Sequence, residues 1–264
     1  MKKIKKIGIF GFGNMGQAIF KLLKNRRDFD FFVYSHKPKK LKEIHYLETL
    51  EGLLKKCDLI FICIKPQDFK SLFLHHKGIS AQSKNKIVVS IMAGIKSNRI
   101  KQFFKNCRAI RTMPNLNLVI GEGVLGWHAK KKYFSPVELK EIEFIFSRFG
   151  KNFFVSNEDD LNSITAIAGS GPAYAALFTD SLIKAGIKTG LSENKTKKMV
   201  FKVLSGTIKY LQSNKIDPEK FIEKVTSKGG VTEAALNELN SKEFKKSWER
   251  AIKAAVKRAK ELSG

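Results

Sequence analysis

Apolar residues follow two rhythms along this chain. Up to about residue 156 they come in short unbroken runs set between stretches with helical spacing. Residues 6–10 (KIGIF), 31–34 (FFVY), 58–64 (DLIFICI), 87–91 (IVVSI), 109–112 (AIRT) and 123–127 (GVLGW) are such runs and read as strands. Ala18, Ile19, Leu22 and Leu23 recur at helical spacing after the first run, and residues 53–57 read as a helix end. Strands alternating with helical patterns form βαβ units, so the expected sheet is parallel. From about Glu158 the short runs stop. Residues 161–186 read as a helix interrupted at Gly169-Ser170-Gly171-Pro172, because proline has no N–H to donate; Pro172 either kinks one helix or opens a second. Residues 193–212 and 218–225 predict two more helices. A last one is predicted from Glu233 onward, with Phe244, Trp248, Ile252, Ala255, Val256, Ala259 and Leu262 on one stripe. The pattern predicts an α/β chain: a Rossmann-type parallel sheet over residues 1–156, then an all-helical C-terminal dimerisation domain over 157–264 that buries its stripe against a second subunit.

Composition narrows this picture. The chain has 264 residues, 43% apolar and 28% charged, which excludes a disordered polymer and is long enough to bury a core. No apolar run approaches the roughly 18 residues of a membrane span. The start MKKIKKIGIFGFG is basic, but glycines interrupt its apolar stretch, so no signal peptide is expected. Fifty Lys and Arg against 24 Asp and Glu give a net charge of +26. The lysines are spread over every surface segment, with no basic arm or RGG tract. The expectation is a solvated basic surface that draws in anionic small molecules, with no nucleic acid as partner. Cys57, Cys63 and Cys107 form no C-x-x-C pair, which points to a reducing, cytoplasmic setting. The adjacent histidines His75 and His76 would not share a helix face, so no metal is expected.

Two segments carry candidate chemistry. Gly11-Phe12-Gly13-Asn14-Met15-Gly16 lies between the first strand and a helix. In that context the first glycine makes the tight turn, the second lets a pyrophosphate approach and the third lets helix and strand pack, with the phosphate on the helix N-terminus. A dinucleotide cofactor is therefore expected. At the end of the second strand an NAD site usually carries a carboxylate for the ribose 2′-hydroxyl. Here Ser35-His36-Lys37 stands there, with Lys39 and Lys40 beyond. A hydroxyl and a cation suit a 2′-phosphate, so NADPH is expected over NADH, with NADH as the weaker option. The second segment is Thr226-Ser227-Lys228-Gly229-Gly230-Val231-Thr232-Glu233. Paired glycines before a helix form an anion nest; the alternative is that Thr232 merely caps the helix.

Taken together, these residues resemble the pyrroline-5-carboxylate reductase family along nearly the whole chain. The likeness includes Gly11 to Gly16, Ile64-Lys65-Pro66, Ser90-Ile91-Met92-Ala93-Gly94 and Arg111-Thr112-Met113-Pro114-Asn115. Its most specific parts are Gly169-Ser170-Gly171-Pro172-Ala173-Tyr174 and Ser227-Lys228-Gly229-Gly230-Val231-Thr232. The resemblance implies NADPH-dependent hydride transfer to the C=N carbon of 1-pyrroline-5-carboxylate, giving L-proline, in a homodimer or an oligomer of dimers. It implies that Gly11, Phe12, Gly13, Asn14, Met15 and Gly16 hold the pyrophosphate and that Ser35 and Lys37 meet the 2′-phosphate. Lys65, Pro66, Ala93 and Asn115 would line the ribose and nicotinamide side. Ser227, Gly229, Gly230, Val231 and Thr232 would bind the substrate carboxylate, with Thr232 hydrogen-bonded to the ring nitrogen. The chain departs from the family pattern at Lys228, where proline is usual, and at Ala168 and Asn162. No His, Asp or Glu lies within residues 227–232, so the imine would arrive protonated or take its proton from water. Alternatives of other classes are a related imine or β-hydroxyacid reductase, which in the latter case needs a catalytic lysine where only Lys184 is offered, and a non-catalytic NADP-binding regulator.

Overall fold

β1 (Lys6–Phe10) is buried from its second residue to its last, which explains an apolar run in place of an alternation. A computed structural model of the chain describes residues 3–25, 29–36, 41–75, 82–239 and 242–263. β1 is followed by α1 (Asn14–Leu23), β2 (Asp30–Tyr34), β3 (Ile44–Tyr46), α2 (Leu50–Lys56), β4 (Leu59–Ile62), α3 (Pro66–His75), β5 (Ile87–Ser90) and α4 (Ser97–Phe103). Then come β6 (Arg108–Pro114), β7 (Gly123–Ala129), α5 (Pro136–Ser147) and β8 (Gly150–Phe154). Among the described residues these strands form one eight-stranded sheet in the order β3-β2-β1-β4-β5-β6-β7-β8. Successive residues of a strand face opposite sides. Ile7, Ile9, Leu59 and Phe61 pack with Ile19 of α1 and Ile142 of α5, while Phe10, Ile60 and Ile62 pack with Leu53 of α2 and Ile100 of α4.

The sheet departs from expectation in three ways. β3 and β8 are strands that the apolar pattern does not predict. β3 has only three residues, and β8 is a sheet-edge strand with no fully buried residue. The sheet is also not wholly parallel, because β7 runs antiparallel to β6. The six expected strands are otherwise present, with the third trimmed to Leu59–Ile62.

The last strand ends at Phe154. α6 (Asp160–Ile164) then passes into a wide π turn at Thr165–Gly169, and α7 (Gly171–Lys188) restarts with Pro172 in its first turn. Proline thus opens a new helix here. α8 (Glu193–Asn214) and α9 (Pro218–Val225) follow. The single last helix expected from Glu233 is instead two, α10 (Val231–Leu239) and α11 (Lys242–Ser263). Asn240 and Ser241, weak helix formers in the sequence, lie outside the described residues.

The chain forms two compact units. One runs to Pro172 and takes in the chain from Ala255; the other is Ala173–Ala254. The first holds the sheet, and the second is helical. Among the described residues no helix is long and apolar enough to cross a membrane, and no group of His, Cys, Asp and Glu is placed to hold a metal. His76 lies outside the described residues.

Candidate functional site

The glycine loop leaves the sheet where its strand order reverses: β1 is flanked by β2 on one side and by β4 on the other, the position at which open α/β sheets bind ligands. Gly11 turns with φ +91°, and a Cβ there would lie 2.9 Å from the carbonyl oxygen of Cys63, just beyond β4. A Cβ at Gly16 would run into the Gly11 carbonyl oxygen. At Gly13 nothing lies within 4 Å. The outer two glycines are thus closed in by protein while the middle one is open. α1 then begins at Asn14, capped by Gly13 with no side-chain hydrogen bond and no acidic residue in its first turn. Its first N–H groups have no partner within the helix, and the dipole favours an anion there. This cradle fits a dinucleotide pyrophosphate.

The loop is braced from behind. Gln17 Nε2 donates to the Phe12 carbonyl at 2.9 Å, and Phe12 N donates to Ser35 Oγ at 3.4 Å. Phe12 is buried, Met15 half-buried and Asn14 exposed. Ser35 therefore stands beside the loop, at the end of β2. Lys37 lies outside the described residues. Exposed Lys65 and half-buried Pro66 follow β4, and half-buried Ala93 follows β5, on the same edge of the sheet.

Asn115 has a definite task. Its N–H pairs with the Val124 carbonyl at 3.1 Å, its Oδ1 accepts from Val124 N at 3.0 Å, and its Nδ2 donates to the Ala168 carbonyl at 3.1 Å. Ala168 is four residues before Pro172, so its carbonyl lacks the helical N–H that any other residue would supply. The asparagine amide, 6% exposed, satisfies that carbonyl and ties the π turn to β7.

The other candidate residues form the turn from α9 to α10. Gly229 is left-handed, with φ +72°. Gly230 N donates to the Ser227 carbonyl at 3.0 Å, and a Cβ on Gly230 would come within 2.9 Å of that same oxygen. Val231 is 90% exposed. Thr232 is the second residue of α10 and so is not its cap, which corrects the capping alternative. Its side chain is exposed. Sequence reasoning missed Glu233, whose Oε2 accepts from Gly229 N at 2.8 Å. A glutamate three residues into a helix, reaching back over the entry turn, is a legible signal.

Lys184 on α7 pairs with Asp180 one turn away at 2.7 Å and is 71% exposed, an ordinary surface ion pair. Burial pushes the thiols of Cys57 and Cys107 up to about 12, so both are inert packing groups.

Comparison with known proteins gives the same picture. Residues 158–262 match the family model described as pyrroline-5-carboxylate reductase dimerisation. Residues 6–94 match the one described as NADP oxidoreductase, coenzyme F420-dependent. The chain is 33% identical to the pyrroline-5-carboxylate reductase of Staphylococcus saprophyticus, over 98% of both chains. It superposes on the Plasmodium falciparum pyrroline carboxylate reductase with NADP bound at a TM-score of 0.86, with 28% identity and full coverage of both chains. With the Streptococcus pyogenes 1-pyrroline-5-carboxylate reductase the TM-score is 0.84 and the identity 29%, over 97% of this chain and 98% of that one. One-third identity along the full length, with both glycine turns in place, means that the chain belongs to the pyrroline-5-carboxylate reductase family.

Proposed function

We propose that this protein reduces 1-pyrroline-5-carboxylate to L-proline with NADPH. The observation that carries the reading is that one chain presents two glycine turns that each lead into a helix start, an open one at Gly13 before α1 and the Gly229-Gly230 turn before α10. The first suits the cofactor pyrophosphate and the second a small carboxylate. When bound, NADPH supplies the hydride that adds to the C=N carbon. The remaining tasks fall to the chain. Gly11 to Gly16 fix the pyrophosphate, and Ser35 with Lys37 meets the 2′-phosphate. Lys65, Pro66 and Ala93 line the ribose and nicotinamide side. The turn of Ser227, Gly229 and Gly230, whose two glycine N–H groups hold the turn itself, presents the free N–H groups from Val231 onward to the substrate carboxylate, and Thr232 Oγ holds the ring nitrogen. Holding both reactants makes the encounter effectively unimolecular, which is the main service a protein offers in such a reaction. The imine nitrogen takes its proton before or during transfer from water, since residues 227–232 contain no acid.

The protein works as a homodimer or an oligomer of dimers. Buried free thiols support a cytoplasmic setting. Lys184, held in a surface pair, favours no β-hydroxyacid chemistry. The test is loss of NADPH absorbance on adding pyrroline-5-carboxylate, run beside NADH. Imine-dependent oxidation, faster with NADPH, is expected; NADPH binding without turnover would leave only a nucleotide-binding protein.

A further inference from the structure

We infer that Glu233 is the positioning residue of the carboxylate-binding turn, an inference that rests on residues 227–232 being the substrate loop. The segment between α9 and α10 reads Thr226-Ser227-Lys228-Gly229-Gly230, with no proline. Two adjacent glycines leave the unbound chain more backbone freedom than any other pair, so something must hold the turn. Two bonds do so: Gly230 N to the Ser227 carbonyl at 3.0 Å, and Gly229 N to Glu233 Oε2 at 2.8 Å. The first closes the turn. The second fixes Gly229 in the left-handed region, at φ +72°.

The register of the second bond matters. In an ordinary capping box the glutamate takes the N–H of the cap residue itself. Here the cap position is Gly230, whose N–H is already given to Ser227, and Glu233 reaches one residue further back. Gly230 has no side chain to cover the helix start. The carboxylate therefore stiffens the approach to α10 without covering the N–H groups of Val231, Thr232 and its own residue. Its charge also lies at the positive end of the helix, which favours the arrangement. Glu233 never touches the imine: it acts through the turn, and its effect belongs to carboxylate affinity and not to hydride transfer.

Steady-state kinetics on the full-length enzyme test this. Glu233→Ala should raise KM for pyrroline-5-carboxylate about tenfold, with kcat and the KM for NADPH within about twofold. Inhibition by L-proline should weaken in parallel. Glu233→Gln keeps an acceptor for Gly229 N and should restore the imine KM to within about twofold of the parent. An unchanged imine KM in Glu233→Ala, with Thr232→Ala impaired, overturns the inference and leaves the proposed reaction standing. So does a lower imine KM, which would make Glu233 a repulsive charge. A loss of kcat, NADPH affinity and melting temperature together would make it a mere structural cap. If neither Thr232→Ala nor Glu233→Ala alters imine kinetics, the substrate-loop reading itself fails.

Discussion

A single methyl group separates the three glycines of the cofactor loop. At Gly16 a Cβ would drive into the Gly11 carbonyl oxygen and press Ile9 at 3.1 Å, so Gly16→Ala must part α1 from β1. The expected cost is about 2 kcal/mol of stability, with NADPH affinity falling at least about tenfold. Gly13→Ala meets nothing within 4 Å and should cost under about 1 kcal/mol, the loss of a glycine cap, while still weakening NADPH, because the methyl stands where the pyrophosphate would come. Thermal melts and NADPH titration of both variants check this; equal loss of stability in the two would refute the asymmetry. At the proposed substrate turn, Thr232→Ala should lower kcat/KM for the imine by about 1–3 kcal/mol through one lost hydrogen bond, and wild-type kinetics would remove Thr232 from the site. The glycines were legible from sequence because their spacing follows from backbone sterics. The capping role weighed for Thr232 was settled only by where the helix begins, since propensity does not resolve a boundary to one residue.

Side chains from one element repair defects in another. Pro172 deprives the Ala168 carbonyl of its helical partner, and Asn115 supplies a substitute while also holding Val124 N. Asn115→Ala would leave two half-buried backbone groups without the amide, at about 1–2 kcal/mol each. The expected result is a drop in unfolding free energy of about 2–4 kcal/mol, measured by denaturant titration; a loss under about 0.5 kcal/mol would mean that water replaces the amide. α5 has a similar dependence on Glu138, which completes a capping box with Ser135 and pairs with Arg108 at 2.7 Å. Burial pushes its carboxyl up, but bonds from the Ser135 N–H and hydroxyl and the Arg108 guanidinium outweigh that and leave it below the usual value. Its stabilisation is therefore complete above the unfolded value of about 4.3 and is lost as the pH falls through the lower folded value. Glu138→Gln should cost about 1 kcal/mol near neutral pH, and the gap in melting temperature from the parent should close toward about pH 3. A gap that persists there would assign the effect to packing. The central strands β1, β2, β4 and β5 were legible because each is an apolar run. β8 was not, because an edge strand alternates and its GKNFF reads as a turn; the Asn115 link was not, because it joins residues 53 positions apart.

At the scale of the molecule, the second unit cannot stand on its own burial. Among the described residues its only buried apolar side chains are Ile183 and Val200, far too little to offset the ordering of about 80 residues. Meanwhile Leu177, Phe201 and Val203 are 68%, 59% and 59% exposed. The sequence pattern pointed the same way through an apolar stripe with no visible partner, and the match of residues 158–262 to a dimerisation domain names the occupant as a second copy. Folding and association should therefore be linked, so that the thermal midpoint rises with protein concentration. Light scattering should give twice the chain mass or a multiple of it. Placing charges on α8 with Phe201→Glu and Val203→Glu should shift the protein to monomer and abolish imine turnover. NADPH should still bind to the first unit, whose glycine loop and bracing bonds lie wholly within it. A midpoint independent of concentration, or a charged variant that is monomeric and fully active, would show that the helical unit folds and works alone.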